Sequence, residues 1–506
     1  MEIEFKFLIP SHRLEGVQAE MQQGHYTARR MEAHYFDTPE GDLARQGIAW
    51  RVRDEGGAWV QTVKTLGEGP LAREEHNAAL PRPAGAEGVP RPDPALHAGS
   101  AAGRQLARAL AHAKTSPVET YGTGFERVTR DIPFDGGGAM ELALDTGRVV
   151  AHRGTAEEAS APICELELEL KDGPVSALVE AARAWAARHG LVLSTLSKAE
   201  RGERLRAGGS AGPAAKATPM RAKNGRLPSG QHLQRVVVGN CLEQIMANAS
   251  EIAQGHGTEK HVHQLRVGIR RLRTALRELD GLAPNSFDPA WEAPLRTVFR
   301  RLGELRDSGH VLEAMNAQLR QAGGPEVAPD PEAAVSPEEI LSDGAFQAVL
   351  IALMGFTVAQ DGTPPAQAQA LDAEGTRRAV GKALRKLHRG IGKDIASFSE
   401  LTTERQHRVR KRIKRLRYLT EFLAPVLEGG GRKFLKRLAP AQASLGRLND
   451  EQVADRLYRQ RAARHPQAWF AVGWLAARRR HTLENCQRAL QRIGDGPEVR
   501  KRAFRP

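Results

Sequence analysis

The chain has 506 residues, 41% of them hydrophobic, three cysteines and a formal net charge of +14. That length is enough for two or more cores, while Cys164, Cys241 and Cys486, odd in number and without a CxxC pair, argue against a disulfide framework or a zinc site. No apolar run approaches ~18 residues, so no membrane span is expected, and with no basic and apolar leader the expected location is the cytoplasm.

The first segment, Glu2-Ile3-Glu4-Phe5-Lys6-Phe7, puts Glu, Glu and Lys on one side of a strand and Ile, Phe and Phe on the other, because side chains alternate across an extended backbone. A half-buried strand turns such a face to water; two carboxylates and an ammonium in period two also suit the wall of a polar tunnel. The pattern recurs. Arg51 and Arg53 flank Val52, Gln61 and Lys64 lie in a Trp59 to Lys64 run, Glu141 and Asp145 are four apart, and Glu165, Glu167 and Glu169 alternate with leucines. A helix is expected from Val175 to Arg188 and a short strand from Leu191 to Leu196. Residues 207–230, rich in Gly, Ala, Pro, Lys and Arg without an apolar period, read as a flexible linker. The first domain is then residues 1–206, expected to fold and act without the rest.

Charge changes across that linker. Residues 1–210 hold 25 Lys and Arg against 30 Asp and Glu, a balance of −5, and residues 211–506 hold 49 against 30, or +19. The second domain, 231–506, is therefore expected to meet a polyanion. Its texture is helical, and a low-order stretch at 322–337 divides it into repeats of about 231–321 and 338–500. His263, Arg266, Arg270, Arg271, Leu272 and Arg273 recur as His407, Arg410, Lys414, Arg415, Leu416 and Arg417 at a shift of 144 residues. Leu302-Gly303-Glu304-Leu305-Arg306-Asp307 recurs as Leu445-Gly446-Arg447-Leu448-Asn449-Asp450 at a shift of 143. At about 100° per residue, His263, Arg266, Arg270 and Arg273 form one stripe, with Leu265, Ile269 and Leu272 opposite. His407, Arg410, Lys414 and Arg417 do the same opposite Val409, Ile413 and Leu416. One such helix reads as a solvated amphipathic surface; two uniformly cationic copies read as an anion-binding face.

These motifs resemble the CHAD family, the conserved-histidine α-helical domains. The resemblance implies two four-helix bundles facing each other across a basic pore that binds inorganic polyphosphate, with the eight stripe residues, His263 to Arg273 and His407 to Arg417, as contacts. Nucleic acid is not the expected partner, because neither stripe interleaves the aromatic residues that stack bases.

The first half resembles the CYTH family, or triphosphate tunnel enzymes. Its Glu-x-Glu-x-Lys signature is Glu2, Glu4 and Lys6; Tyr35-Phe36-Asp37-Thr38, Arg51-x-Arg53, Lys64, Arg73 with Glu75, Arg127, Glu141 with Asp145, the Glu165 to Glu169 run and Ser197-Lys198 follow in family order. The resemblance implies a multidomain α+β chain: a closed eight-stranded antiparallel β-barrel with helices, holding triphosphate in its lumen, and then the all-α domain. Lys6, Arg51, Arg53, Lys64, Arg73, Arg127 and Lys198 are the expected phosphate contacts, arginine suiting bidentate contact. By the same resemblance Glu2, Glu4, Asp145, Glu165, Glu167 and Glu169 hold the metal, Mg²⁺ or Mn²⁺ and two ions in all, since hard cations take oxygen ligands. Glu2, Glu4 and Lys6 form the catalytic set, one of the glutamates also orienting water. The expected reaction is hydrolysis of inorganic triphosphate; adenylyl cyclase, thiamine triphosphatase and a non-catalytic polyphosphate- or nucleic-acid-binding adaptor are the alternatives.

Overall fold

The computed structural model describes residues 2–55, 57–66, 72–81, 88–209, 211–306, 311–327, 335–358 and 370–505, and for Glu2, Leu66, Ala72, Arg73 and Arg306 the backbone alone. Asp307, the last residue of the first Leu-Gly-x-Leu-x-Asp element, lies outside the described residues.

The alternating segments become strands: β1 (Glu2–Leu8), β2 (Thr27–Asp37), β3 (Ala49–Asp54), β4 (Trp59–Leu66), β5 (Ala72–Ala79), β6 (Val118–Pro133), β7 (Ala139–Ala151), β8 (Ala159–Asp172) and β9 (Val192–Leu193). They pair antiparallel in the order β5-β4-β3-β2-β6-β7-β8-β1-β9. The expected eight-stranded closed barrel needs correction. Among the described residues the sheet has nine strands, because Val192 and Leu193 pair with Leu8 and Phe7, and β1 meets β5 at Glu2↔Arg73 and Ile3↔Ala72 rather than along a full ladder.

Among the described residues, the helices around the sheet are α1 (Leu14–Met21), α2 (Asp42–Arg45), α3 (Ala101–His112), α4 (Val175–His189) and α5 (Lys198–Arg206). The sheet's apolar face carries Phe5, Phe7, Leu142, Leu144, Leu166 and Leu168, all no more than 2% exposed, so the leucines between the glutamates of β8 supply the core. Elsewhere on that face Trp50 and Val63 pack with Leu106 and Ala109 of α3. Ten further helices follow: α6 (Gly230–Ala253), α7 (Glu259–Glu278), α8 (Glu292–Arg306), α9 (Leu312–Gln321), α10 (Pro337–Leu341), α11 (Gly344–Val358), α12 (Ala373–Ile395), α13 (Thr403–Leu423), α14 (Arg432–Arg461) and α15 (Ala468–Gln491).

The chain forms two compact units that do not follow the sequence boundary. One comprises Met1–Ala215 with Ile245–Val262 and Pro337–Ala359; the other comprises Lys216–Gln244, His263–Ser336 and Gln360–Pro506. In the first unit α11 packs on α4, so closely that a Cβ on Gly355 would lie 2.3 Å from Cγ2 of Val179. The segment read as a linker is tied down there: Ala215 exchanges two hydrogen bonds with the Asn248 side chain, at 3.1 and 2.9 Å. In the second unit Tyr458 donates to Asn316 at 2.8 Å within a buried cluster of α9, α14 and α15. Buried Arg271 donates to Gln244 and Asn240 and covers the Phe422 ring.

Candidate phosphate and metal site

Residues directly opposite in an antiparallel ladder point to the same face. The registers Lys6↔Glu167, Glu4↔Glu169, Glu169↔Glu141, Asp145↔Glu165, Arg127↔Asp145, Tyr35↔Arg51 and Lys64↔Glu75 therefore gather the charged residues of seven strands on the polar face. Side chains confirm the gathering. Arg127 spans Asp145 with Nε–Oδ1 2.7 Å and Nη2–Oδ2 2.6 Å and reaches Glu167 at 2.7 Å. From α5, Lys198 lies 2.6 Å from Asp145 and 3.2 Å from Glu167 and also contacts Glu165. Arg201 pairs with Glu165 as well, and Lys6 lies 3.7 Å from Glu167. Asp145 and Glu165 are fully buried, where an unpaired carboxylate is prohibitively costly, so these cations are obligatory partners.

The electrostatics follow from that crowding. Burial acts to raise the Glu167 carboxyl, yet Lys198, Arg127 and Lys6 outweigh it and hold the group well below the ordinary carboxylate range. Glu165 is lowered too, burial being outweighed by Lys198, Lys6 and Arg201. Burial opposes the charged form of Lys198, but Glu165, Glu167 and Asp145 raise its ammonium above the usual value. Further round the face Arg51 donates to the Tyr35 hydroxyl at 3.5 Å, Lys64 lies 2.5 Å from Glu75, and Arg53 pairs with Glu55. Burial opposes ionisation of Tyr35, yet Arg51, Lys198 and Lys64 bring its phenol below its ordinary value. Arg53 is lowered by burial and by Arg51 beside it. Buried cations crowded this closely are relieved by an added anion.

One oxygen from each of Asp145, Glu165 and Glu167 lies within 4.8 Å of the others, an all-oxygen group able to hold a metal. Its cation position is taken in this structure by the Lys198 ammonium. Excess negative charge lies one step along the sheet, where Glu4, Glu169 and Glu141 face one another across β1, β8 and β7. Like charges directly opposite repel. Lys171 is near two of them, 3.1 Å from Glu169 and 3.4 Å from Glu141, and the Glu4 carboxylate has no hydrogen bond or ion pair among the described residues. The side chains of Glu2 and Arg73 lie outside the described residues.

Two participants were missed by sequence reasoning. Tyr35 is buried and stacks on Tyr121 at 4.7 Å, but its hydroxyl joins the cationic face. Arg201 follows Lys198 by one turn of a helix, a spacing that puts both on one side, and that signal was available once α5 was recognised.

In the second unit the first cationic stripe lies on an aromatic ring: the Arg266, Arg270 and Arg273 guanidinium carbons are 4.8, 5.4 and 5.9 Å from the Phe299 centroid, and Arg273 pairs with Glu292. The stripe thus borrows an aromatic from α8 that its own sequence lacks. His263 is exposed. On α13, burial and then Lys411, Arg410 and Lys414 lower His407 to about 4, while Arg417 is paired with Glu421 at 2.6 Å. A separate cavity of about 940 Å³ is lined by Arg405, Arg408, Arg412 and Arg415 of α13 and by Lys386, Arg389 and Lys393 of α12, with Glu278 and Asp394 the acids among its lining. Among the described residues no helix is long and apolar enough to cross a membrane.

Two family models match the chain. The CYTH domain model matches residues 1–202 and the CHAD domain model residues 236–459. An inorganic triphosphatase of Haemophilus influenzae is 29% identical over 175 residues, which is 33% of this chain and 44% of that relative, so less than half the relative's length is matched. The CHAD domain from the plant Ricinus communis is 25% identical with a TM-score of 0.42, covering 56% of this chain and 99% of that one. A protein of Hippeastrum, described as a candidate adenylyl cyclase with a dominant triphosphatase activity, is 18% identical with a TM-score of 0.28, covering 41% of this chain and 97% of that one. With both family models matched in order, the chain belongs to the proteins that carry a CYTH domain followed by a CHAD domain.

Proposed function

We propose that the CYTH domain hydrolyses inorganic triphosphate to pyrophosphate and phosphate with a divalent cation, and that the CHAD domain binds inorganic polyphosphate. The observation that carries the first half is the polar face itself: Lys6, Arg51, Arg53, Lys64, Arg127 and Lys198 share it with a buried acidic group. Catalysis of phosphoryl transfer rests on positioning and charge neutralisation, and cations held by a sheet cost little reorganisation. Arg73, opposite Glu2 in backbone register, is proposed as a further phosphate contact.

In this reading Arg51, Arg53, Lys64 and Arg127 hold the phosphate oxygens. Water attacks the terminal phosphorus, the bond to the bridging oxygen breaks with its electron pair passing to pyrophosphate, and Glu4 accepts the water proton. Lys6 and Lys198 offset charge on the separating phosphates. Mg²⁺, or Mn²⁺ in its place, would polarise the phosphoryl oxygens when bound; Glu2, Glu4, Glu167 and Glu169 are its proposed holders at the row of surplus negative charge, and Asp145 and Glu165 would contribute oxygens to a second ion. The CHAD stripes supply the polyphosphate contacts, and a cytoplasmic setting suits both substrates.

The test offers triphosphate, ATP, thiamine triphosphate and long polyphosphate to the full chain with Mg²⁺ or Mn²⁺, and measures phosphate, pyrophosphate and cyclic nucleotide. Triphosphate is expected to have the highest kcat/KM, and Glu4→Gln to lower its turnover by ~100-fold while the circular dichroism spectrum is kept. Cyclic AMP as the main product from ATP assigns the nucleotide-converting alternative, and no turnover of any substrate assigns the adaptor.

A further inference from the structure

The two cations that meet the acidic group, Lys198 and Arg201, come from a short helix, and what holds that helix comes from residues far downstream. The N-terminus of α5 is capped by Ser197, whose hydroxyl accepts from Glu200 N–H at 3.1 Å while Glu200 accepts from Ser197 N–H at 2.8 Å. Just before it, Ser194 N–H donates to Lys6 O at 2.9 Å. Beyond these local bonds, the buried Leu193 N–H donates to Oε1 of Gln347 at 2.9 Å, and Thr195 N–H to the Ser250 hydroxyl at 2.9 Å. Gln347 is itself fixed, its Nε2 donating to Leu341 O at 2.7 Å. At the other end Arg204 pairs with Glu251 at 2.5 Å, and Glu251 also accepts from Gly212 N–H at 3.3 Å. Ser250, Glu251 and Gln347 are 1%, 3% and 4% exposed. Solvated surface residues do not pair this way; three buried polar groups converge on one segment of 15 residues, Val192 to Arg206.

We propose that Ser250, Glu251 and Gln347 are positioning residues for the phosphate site, fixing the segment that delivers Lys198 and Arg201 to Asp145, Glu165 and Glu167. The proposal rests on the functional reading above and adds that the site is completed by residues beyond the CYTH domain. Its physical content is rigidity. Groups that neutralise developing charge act well only when their own positions are held by a second layer of contacts, and a displacement of ~1 Å from a remote change can cost ~100-fold in rate. Neither Gln347 nor Glu251 touches the polar face, so their effect passes through the backbone of β9 and α5.

The test uses the full chain with Glu251→Ala combined with Gln347→Leu, and separately with Glu251→Gln, which keeps an acceptor for Arg204 and Gly212. The double variant is expected to lose at least ~10-fold in kcat per folded molecule with KM for triphosphate within about threefold of wild type, and Glu251→Gln to stay within about threefold in kcat. If kcat per folded molecule is unchanged while only the melting temperature falls, these residues serve stability alone and the proposal is overturned. Should the double variant not fold, Ser250→Ala, which removes the hydroxyl that accepts from Thr195 N–H and meets the Thr195 hydroxyl, carries the same comparison. Hydrogen exchange separates this inference from the functional one. Amides from Thr195 to Leu205 are expected to exchange at least ~10-fold faster in the double variant, or in Ser250→Ala where that replaces it, and as in wild type in Glu251→Gln; unchanged protection in the first overturns the positioning role, whereas absent wild-type turnover with faster exchange overturns only the triphosphatase reading.

Discussion

Single residues divide the acidic group into carboxylates that are already neutralised and one that is not. Asp145 and Glu165 are buried and held by Arg127, Lys198 and Arg201, whereas Glu4 makes no such pairing among the described residues. A pH dependence follows for the neutralised set. Glu165 and Glu167 are lowered in the folded chain against burial, Lys198 being the foremost of the charges that lower them. Their ionised form therefore stabilises the fold above the unfolded carboxylate value near ~4.3, and the contribution is lost as pH falls through the lower folded value. Lys198→Met should reverse this. With their principal counter-charge gone the buried carboxylates are destabilising when ionised, at a cost of about 3–5 kcal/mol for a broken buried pair, so lowering pH from 7 to 5 should raise the variant's melting temperature while leaving wild type nearly level. Parallel melting curves against pH for the two proteins would refute the pairing.

At the level of elements, β8 and α13 show how one residue pattern serves two ends. The Glu-Leu alternation of β8 sends Leu166 and Leu168 to the core and Glu165 and Glu167 to the polar face, because the pleat has period two. The period of α13 sends Val409, Ile413 and Leu416 inward and leaves the cations clustered outside. A polyanion is the natural counter-charge. Reversing charge at Arg270 together with Lys414 should weaken polyphosphate binding and flatten its salt dependence by a slope of roughly 2, because each cation lost releases about one counterion fewer; titration of the full chain at two or more salt concentrations measures it. Triphosphate turnover should be unaffected, as neither residue belongs to the polar face. Equal affinity for a mixed-sequence oligonucleotide of matched charge would assign nucleic acid instead, and the Phe299 ring beneath the first stripe makes that comparison worth performing.

Over the whole molecule, the unit that contains the sheet recruits Ile245–Val262 and Pro337–Ala359. A chain stopped near Gly209 keeps every strand of the sheet yet exposes the side of α4 that Gly355 approaches and leaves Leu193 N–H without Gln347. It is expected to melt at least ~5 °C below the full chain, the shift that follows from losing roughly 1–3 kcal/mol for an unsatisfied buried donor plus apolar contact; an unchanged transition by circular dichroism would show that the sheet domain is self-sufficient. The sequence alone determined that β1, β3, β4, β7 and β8 each carry charge on one side, that two helices carry matching cationic stripes, and which two families the chain resembles, because alternation, helical period and motif order are properties of neighbours along the chain. Only the tertiary structure decided that Lys198 meets carboxylates rather than open solvent, that Arg201 and Tyr35 join them, that a ninth strand is added beside β1, and that Ser250, Glu251 and Gln347 grip a segment more than 40 residues away. Those are contacts between residues distant in sequence, and no local period encodes which buried donor will find which acceptor.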